Sequence, residues 1–119
     1  MSASKRTVLI VDDDPQILRL VEKMLRPHGH HVLMAPRPSE ALRICESQPV
    51  DLMISDVVMP EMDGYKLADR VLKLQPEAQI LLISGQQKEP GKSLRVRFLR
   101  KPFFPSVLLQ TLRELLPEL

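Results

Sequence analysis

Asp12, Asp13 and Asp14 stand in a row directly after the apolar run Thr7–Val11, and Asp56 follows a second run, Val50–Ser55. Ser84-Gly85 comes after Gln79–Ile83, and Lys101-Pro102 after Arg97–Arg100. If each run is a strand of an open parallel sheet, these residues meet at one edge, because such sheets build sites beyond the carboxyl ends of their strands. Carboxylates crowded this way repel one another and persist more readily around a divalent cation. An all-oxygen set with positions left for water suits Mg2+ better than zinc. A metal, a lysine and a hydroxyl around one carboxylate make a place for an anion bonded to that carboxylate. That is the chemistry of phosphoryl transfer to an aspartate nucleophile.

The elements that must position these groups are legible as alternation. Thr7–Val11, His31–Ala35, Val50–Ser55, Gln79–Ile83 and Arg97–Arg100 read as five short strands. Between them lie amphipathic stretches. The first starts at Pro15, carries Ile17, Leu20, Val21, Met24 and Leu25, and is ended by Pro27 and Gly29. A second carries Ala41, Leu42 and Cys45, a third Leu67, Ala68, Val71 and Leu72, and the last Leu108, Leu109, Leu112, Leu115 and Leu116. Between the fourth and fifth strands, Gln86–Arg95 contains Pro90-Gly91 and almost no apolar periodicity, so it is expected to hold a short or irregular helix. Strands alternating with helices predict an α/β fold with a parallel sheet covered on both faces.

Composition bounds the rest. The 119 residues suit one domain, and 44% hydrophobic residues with 27% charged ones supply a core. A formal charge of +2 gives no sign of a nucleic-acid partner, and one Tyr, three Phe and no Trp leave little for base stacking. The single Cys45 excludes intrachain disulfides and thiolate zinc sites and reads as a small buried hydrophobe. No apolar run reaches the roughly 18 residues of a membrane span, and the polar start shows no signal peptide, so a cytoplasmic protein is expected. His28, His30 and His31 straddle a turn, and strand alternation would point the last two apart, against a shared metal. Asp14 reads as the cap of the first helix, not a ligand.

The segments Val11-Asp12-Asp13-Asp14-Pro15, Asp56-Val57-Val58-Met59-Pro60-Glu61-Met62-Asp63-Gly64, Ser84-Gly85 and Lys101-Pro102-Phe103 resemble, in order and spacing, the receiver domain of two-component response regulators. The resemblance covers nearly the whole chain. It implies a single receiver domain over 1–119, core about 6–118, with a flavodoxin-like sheet of order 2-1-3-4-5. It further implies that Asp56 accepts the phosphoryl group from a phosphohistidine on a sensor histidine kinase or histidine phosphotransfer protein. Asp13 would ligate Mg2+ (or Mn2+) directly, with Asp12 partly through water, Asp56 itself, and the Val58 main-chain carbonyl. Ser84 and Lys101 would contact phosphoryl oxygens, the bond before Pro102 being cis in the family, and Phe98 would be the switch aromatic. Such a domain is a signalling phosphoacceptor acting on its own Asp56, not an ordinary enzyme. A monomer or weak dimer without direct nucleic-acid or membrane contact is expected.

The chain departs from the family in places. Ser84-Gly85 stands where Thr-Ala is commoner, as in receivers of hybrid kinases. The stretch from Ser84 to Phe98 is short. Val58 and Gln86 occupy positions that tune the lifetime of the acyl phosphate, and valine cannot hydrogen-bond an attacking water. Lys88, Lys92, Arg95, Arg97, Arg100 and Lys101 against Glu89 make segment 86–101 basic. It is either a solvated loop and edge strand or a docking face for an acidic downstream protein. Two other functions compete. One is a receiver-shaped module that works without phosphate. The other is a haloacid-dehalogenase-like phosphatase, disfavoured by Gln16, by the lack of room for a cap domain and by the idle Asp56.

Overall fold

The computed structural model describes residues 5–85 and 96–117. Five parallel strands, β1 (Thr7–Val11), β2 (His31–Ala35), β3 (Leu52–Asp56), β4 (Gln79–Ser84) and β5 (Val96–Arg100), form one sheet in the order β2-β1-β3-β4-β5. Four α-helices are present among the described residues: α1 (Pro15–Leu25), α2 (Pro38–Ser47), α3 (Gly64–Leu74) and α4 (Pro105–Leu115). Gln86–Arg95, where the irregular helix is expected, lies outside the described residues.

The alternation of side chains along the central strands builds a core on each face. Val8 and Ile10 of β1 pack with Leu25 of α1 and with Leu108 and Leu112 of α4. Leu9 and Val11 point the other way, into a cluster with Ala41 and Cys45 of α2 and Leu67 and Val71 of α3. Val8–Val11 are fully buried, as a central parallel strand requires.

Local signals fix the helix ends. The Asp14 carboxylate accepts the Gln16 N–H at 2.9 Å and caps α1, with Pro15 in its first turn. A 3-10 turn, Arg26–His28, then leads to Gly29 in the left-handed region at φ 81°. Asp63 caps α3 by accepting the Lys66 N–H at 2.9 Å.

The strands differ from the expected ones by a residue or two at their ends. The ladder runs on through Asp56, paired with Ile83, and through Ser84, paired with Arg100. Both residues therefore sit in the last rung of the sheet instead of one step beyond it. β3 begins at Leu52, not Val50, where the Gln75 side chain takes the Val50 N–H at 2.6 Å.

His30 is buried with Nδ1 accepting the Arg6 N–H at 3.1 Å, whereas His28 and His31 are exposed. The three do not converge. Cys45 is buried, and burial first and Glu46 second push its thiol up to about 11, which keeps it inert at neutral pH. No helix among the described residues is long and apolar enough to cross a membrane.

Candidate functional site

The carboxyl ends of β1 and β3 bring the acidic residues to one place, with the end of β4 alongside β3. Carboxylate oxygens of Asp12, Asp13 and Asp56 lie within 4.8 Å of one another, the one such metal-competent grouping of His, Cys, Asp and Glu among the described residues. Asp12 continues β1 by donating its N–H to the Ala35 carbonyl at 3.3 Å. It is 1% exposed, and its Oδ1 accepts the Asp14 N–H at 2.8 Å. Asp13 faces solvent and Asp56 is half-buried.

The electrostatics follow from that crowding. Burial, then the charges of Asp56 and Asp13, push the Asp12 carboxyl up to about 6, against the pull of the Asp14 N–H and the Lys101 ammonium. A carboxyl raised first by burial and then by neighbouring carboxylates, in a hard-oxygen set, is the environment that a dication relieves. The residues present therefore fit Mg2+ chemistry.

Asp56 is held at both oxygens. Oδ1 accepts the Val58 N–H at 3.2 Å, and Oδ2 lies 3.5 Å from the Lys101 Nζ. Lys101 reaches it from the end of β5, where its N–H donates to the Ser84 carbonyl at 2.8 Å and its bond to Pro102 is cis. Ser84 is itself buried at the end of β4. Four residues singled out from the sequence thus converge, Asp12, Asp13, Asp56 and Lys101, and the Ser84 main chain is bonded to that of Lys101.

Phe98 is separate from the charged group. It pairs with Leu82 across the ladder and packs, partly buried, against the α2–α3 side of the sheet. Val58 is 60% exposed, two residues after Asp56. Gln86 lies outside the described residues, as do Lys88, Glu89, Lys92 and Arg95 of the basic segment. Arg97 and Arg100 are exposed on β5, with Arg97 paired to Glu114 of α4 at 2.9 Å.

Three residues with structural consequences are not among the candidate site residues of the sequence. Gly64 packs against the backbone of Asp56, and Glu61 reaches across to α2. Gln75 ties together three segments at the far end of the sheet. Only Gly64 carried a signal, because a glycine is costly in the first turn of a helix unless something lies too close for a side chain.

Comparison with known proteins bears on the family and the fold. Residues 8–113 match the family described as response regulator receiver domain. The chain is 32% identical over 123 residues to the transcriptional regulatory protein GlrR of Escherichia coli (strain K12), covering 99% of this chain and 28% of that protein. It therefore spans little more than a quarter of that relative's length. The sensor kinase CckA of Brucella abortus is 35% identical over 92% of this chain and 12% of its own. Among solved structures, the receiver domain of the hybrid histidine kinase CckA superposes with a TM-score of 0.79 at 32% identity, covering 92% of this chain and 98% of that one. The response regulator TrrA of Thermotoga maritima, in complex with Mg(2+)-BeF, gives 0.80 at 28% identity, covering 93% and 99%. A match that begins inside β1 and ends inside α4 takes in every strand that feeds the acidic edge, and the chain belongs to the response regulator receiver domains of two-component signalling.

Proposed function

We propose that Asp56 is the phosphoacceptor and that Asp12, Asp13, Asp56 and the Val58 carbonyl hold Mg2+ beside it. The observation that carries this reading is the convergence of three carboxylates within 4.8 Å with Lys101 at 3.5 Å from Asp56. Bound there, the metal would neutralise charge on the phosphoryl oxygens and on the carboxylates around them.

The donor is a phosphohistidine of a sensor kinase or phosphotransfer protein, in the cytoplasm. An Asp56 carboxylate oxygen forms the new P–O bond as the P–N bond breaks, and the imidazole nitrogen keeps the electron pair of that bond. Lys101, already beside Oδ2, accompanies the charge that arrives on the phosphoryl oxygens. The Ser84 hydroxyl supplies a donor to one of those oxygens, and Phe98 rotates inward as that hydroxyl moves toward the phosphate. The product carries one to two more negative charges at the acceptor. Contacts to Ser84 and Lys101 that exist only with the phosphoryl group present shift the conformational balance. The altered surface then engages a downstream protein, with the basic segment 86–101 as its docking face. The domain acts on its own aspartate, in both phosphorylation and the later hydrolysis.

The test is incubation with phosphoramidate, with and without Mg2+. One phosphoryl group, labile to hydroxylamine, is expected on the wild type in Mg2+ and none on Asp56→Asn. Equal labelling of the two proteins would remove Asp56 from the role.

A further inference from the structure

Glu61 is the one non-glycine residue with positive φ, 74°, among the described residues. The Pro60 carbonyl accepts the Met62 N–H at 2.9 Å across it, so Glu61 is the centre of a γ-turn of the strained kind. Such a backbone conformation is strained for a residue with a side chain and persists only where its surroundings impose it. Glycine would remove the strain. The Glu61 side chain shows what a carboxylate contributes instead.

Its Oε1 accepts the Ser39 N–H at 3.0 Å, and its Oε2 accepts the Ser39 hydroxyl at 3.2 Å. Ser39 is in the first turn of α2, whose own N-cap residue, Arg37, makes no side-chain cap. A carboxylate from the β3–α3 loop therefore caps α2 from outside. Both contacts are charge-assisted, and the charge lies at the positive end of the helix dipole.

The clamp has a consequence at the acidic edge. The β3–α3 loop starts at Val57 and Val58, next to the acceptor, and ends at Asp63, the cap of α3. Its near end is tied by the Val58 N–H to Asp56 Oδ1, and its far end by Asp63 to α3. Between these ties, Glu61 anchors the middle of the loop to α2. The two helices pack side by side on one face of the sheet. Freedom in the loop would be felt at the Val58 carbonyl.

We infer that Glu61 is a positioning residue for the metal and acceptor site: by capping α2 across the gap it holds the β3–α3 loop, and with it the Val58 main chain, in place. The inference rests on the reading of Asp56 and its neighbours given above.

The experiment compares wild type, Glu61→Ala, Glu61→Gln and Ser39→Ala. Mg2+ affinity is measured by calorimetry, and amide exchange of residues 39 and 57–63 in metal-free protein by NMR. Glu61→Ala is expected to weaken Mg2+ about tenfold, as loss of a group supporting a ligand does, and to speed exchange across the loop. Glu61→Gln, which can still accept the Ser39 N–H, should stay within about twofold of wild type, and Ser39→Ala should fall between. Mg2+ affinity and loop exchange unchanged in Glu61→Ala overturn the inference, whatever happens to its melting temperature. A wild type that binds no Mg2+ overturns the metal reading itself, and a Glu61→Ala protein too unstable to study leaves Ser39→Ala to decide by the same two measurements.

Discussion

Gly64 lies directly against the Asp56 backbone: a Cβ at position 64 would come within 2.5 Å of the Asp56 carbonyl oxygen and 2.9 Å of the Val57 Cα. The contact is made by main chain on both sides, since the Gly64 N–H also donates to the Val57 carbonyl at 2.8 Å. The first turn of α3 and the end of β3 are thus pressed together at the proposed acceptor.

Gly64→Ala forces one of these two backbones to move, because neither contact is with a side chain that could swing away. We expect a loss of about 1–3 kcal/mol in urea unfolding, in the range of other overpacked sites. Phosphorylation by phosphoramidate should be slower as well, since Asp56 shifts with its carbonyl. A variant as stable as wild type and phosphorylated at the same rate would show that the contact relaxes without cost.

The layout of the strands was legible because each is short, apolar and bounded by Pro, Gly or Asp, and because β1 and β3 are buried on both faces. The site was legible for a related reason: Asp12, Asp13, Asp56, Ser84 and Lys101 sit at strand ends, so finding the strands finds the site. What periodicity could not reveal is contact between residues on separate loops. Glu61 to Ser39, and Gln75 to Val50, are side chain to main chain bonds over 22 and 25 residues, and no local pattern encodes them. Strand ends moved by a residue because the ladder, not the side-chain pattern, decides where pairing stops.

The raised carboxyl of Asp12 makes stability, and with it the proposed Mg2+ binding, depend on pH. Its carboxyl lies at about 6 in the folded chain against an ordinary 3.8, so folding favours the protonated form. Without metal, its contribution is fully present below about 3.8 and is lost as pH rises through 6, worth on the order of 3 kcal/mol. Mg2+ needs the ionised form, so its affinity should fall about tenfold between pH 7 and pH 5. Calorimetric titrations at both pH values, with thermal melts in EDTA and in Mg2+, check this. A larger Mg2+-induced rise in melting temperature at pH 5 than at pH 7 would contradict it.

If Asp56 is phosphorylated as proposed, Val58 stands where a water would approach it. Val58 is exposed, two residues after Asp56, and valine offers such a water no hydrogen bond. Val58→Asn supplies one, and a hydrogen bond of about 1 kcal/mol corresponds to roughly 5-fold in rate. The aspartyl phosphate of Val58→Asn should therefore decay that much faster than that of wild type after the phosphodonor is removed. An equal or longer lifetime in the variant would rule out this role for the side chain.

Gln75 offers the opposite combination, stability without function. Its Oε1 accepts the Val50 N–H at 2.6 Å, and its Nε2 donates to the carbonyls of Cys45 and Gln48 at 2.8 Å each. One side chain thus joins the end of α2, the residue after α3 and the chain entering β3. Val50 is buried, so its N–H has no ready substitute in water. Gln75→Leu leaves the part-buried Val50 N–H and Cys45 carbonyl without this partner and is expected to cost about 2–3 kcal/mol. The site lies at the other end of β3 from Asp56, so Mg2+ affinity and phosphorylation rate should match wild type at temperatures where the variant is folded. If instead Gln75→Leu weakened Mg2+ binding as Glu61→Ala is expected to, the acidic edge would be responding to general loosening of α2 and α3, and no single loop contact could be assigned the positioning role.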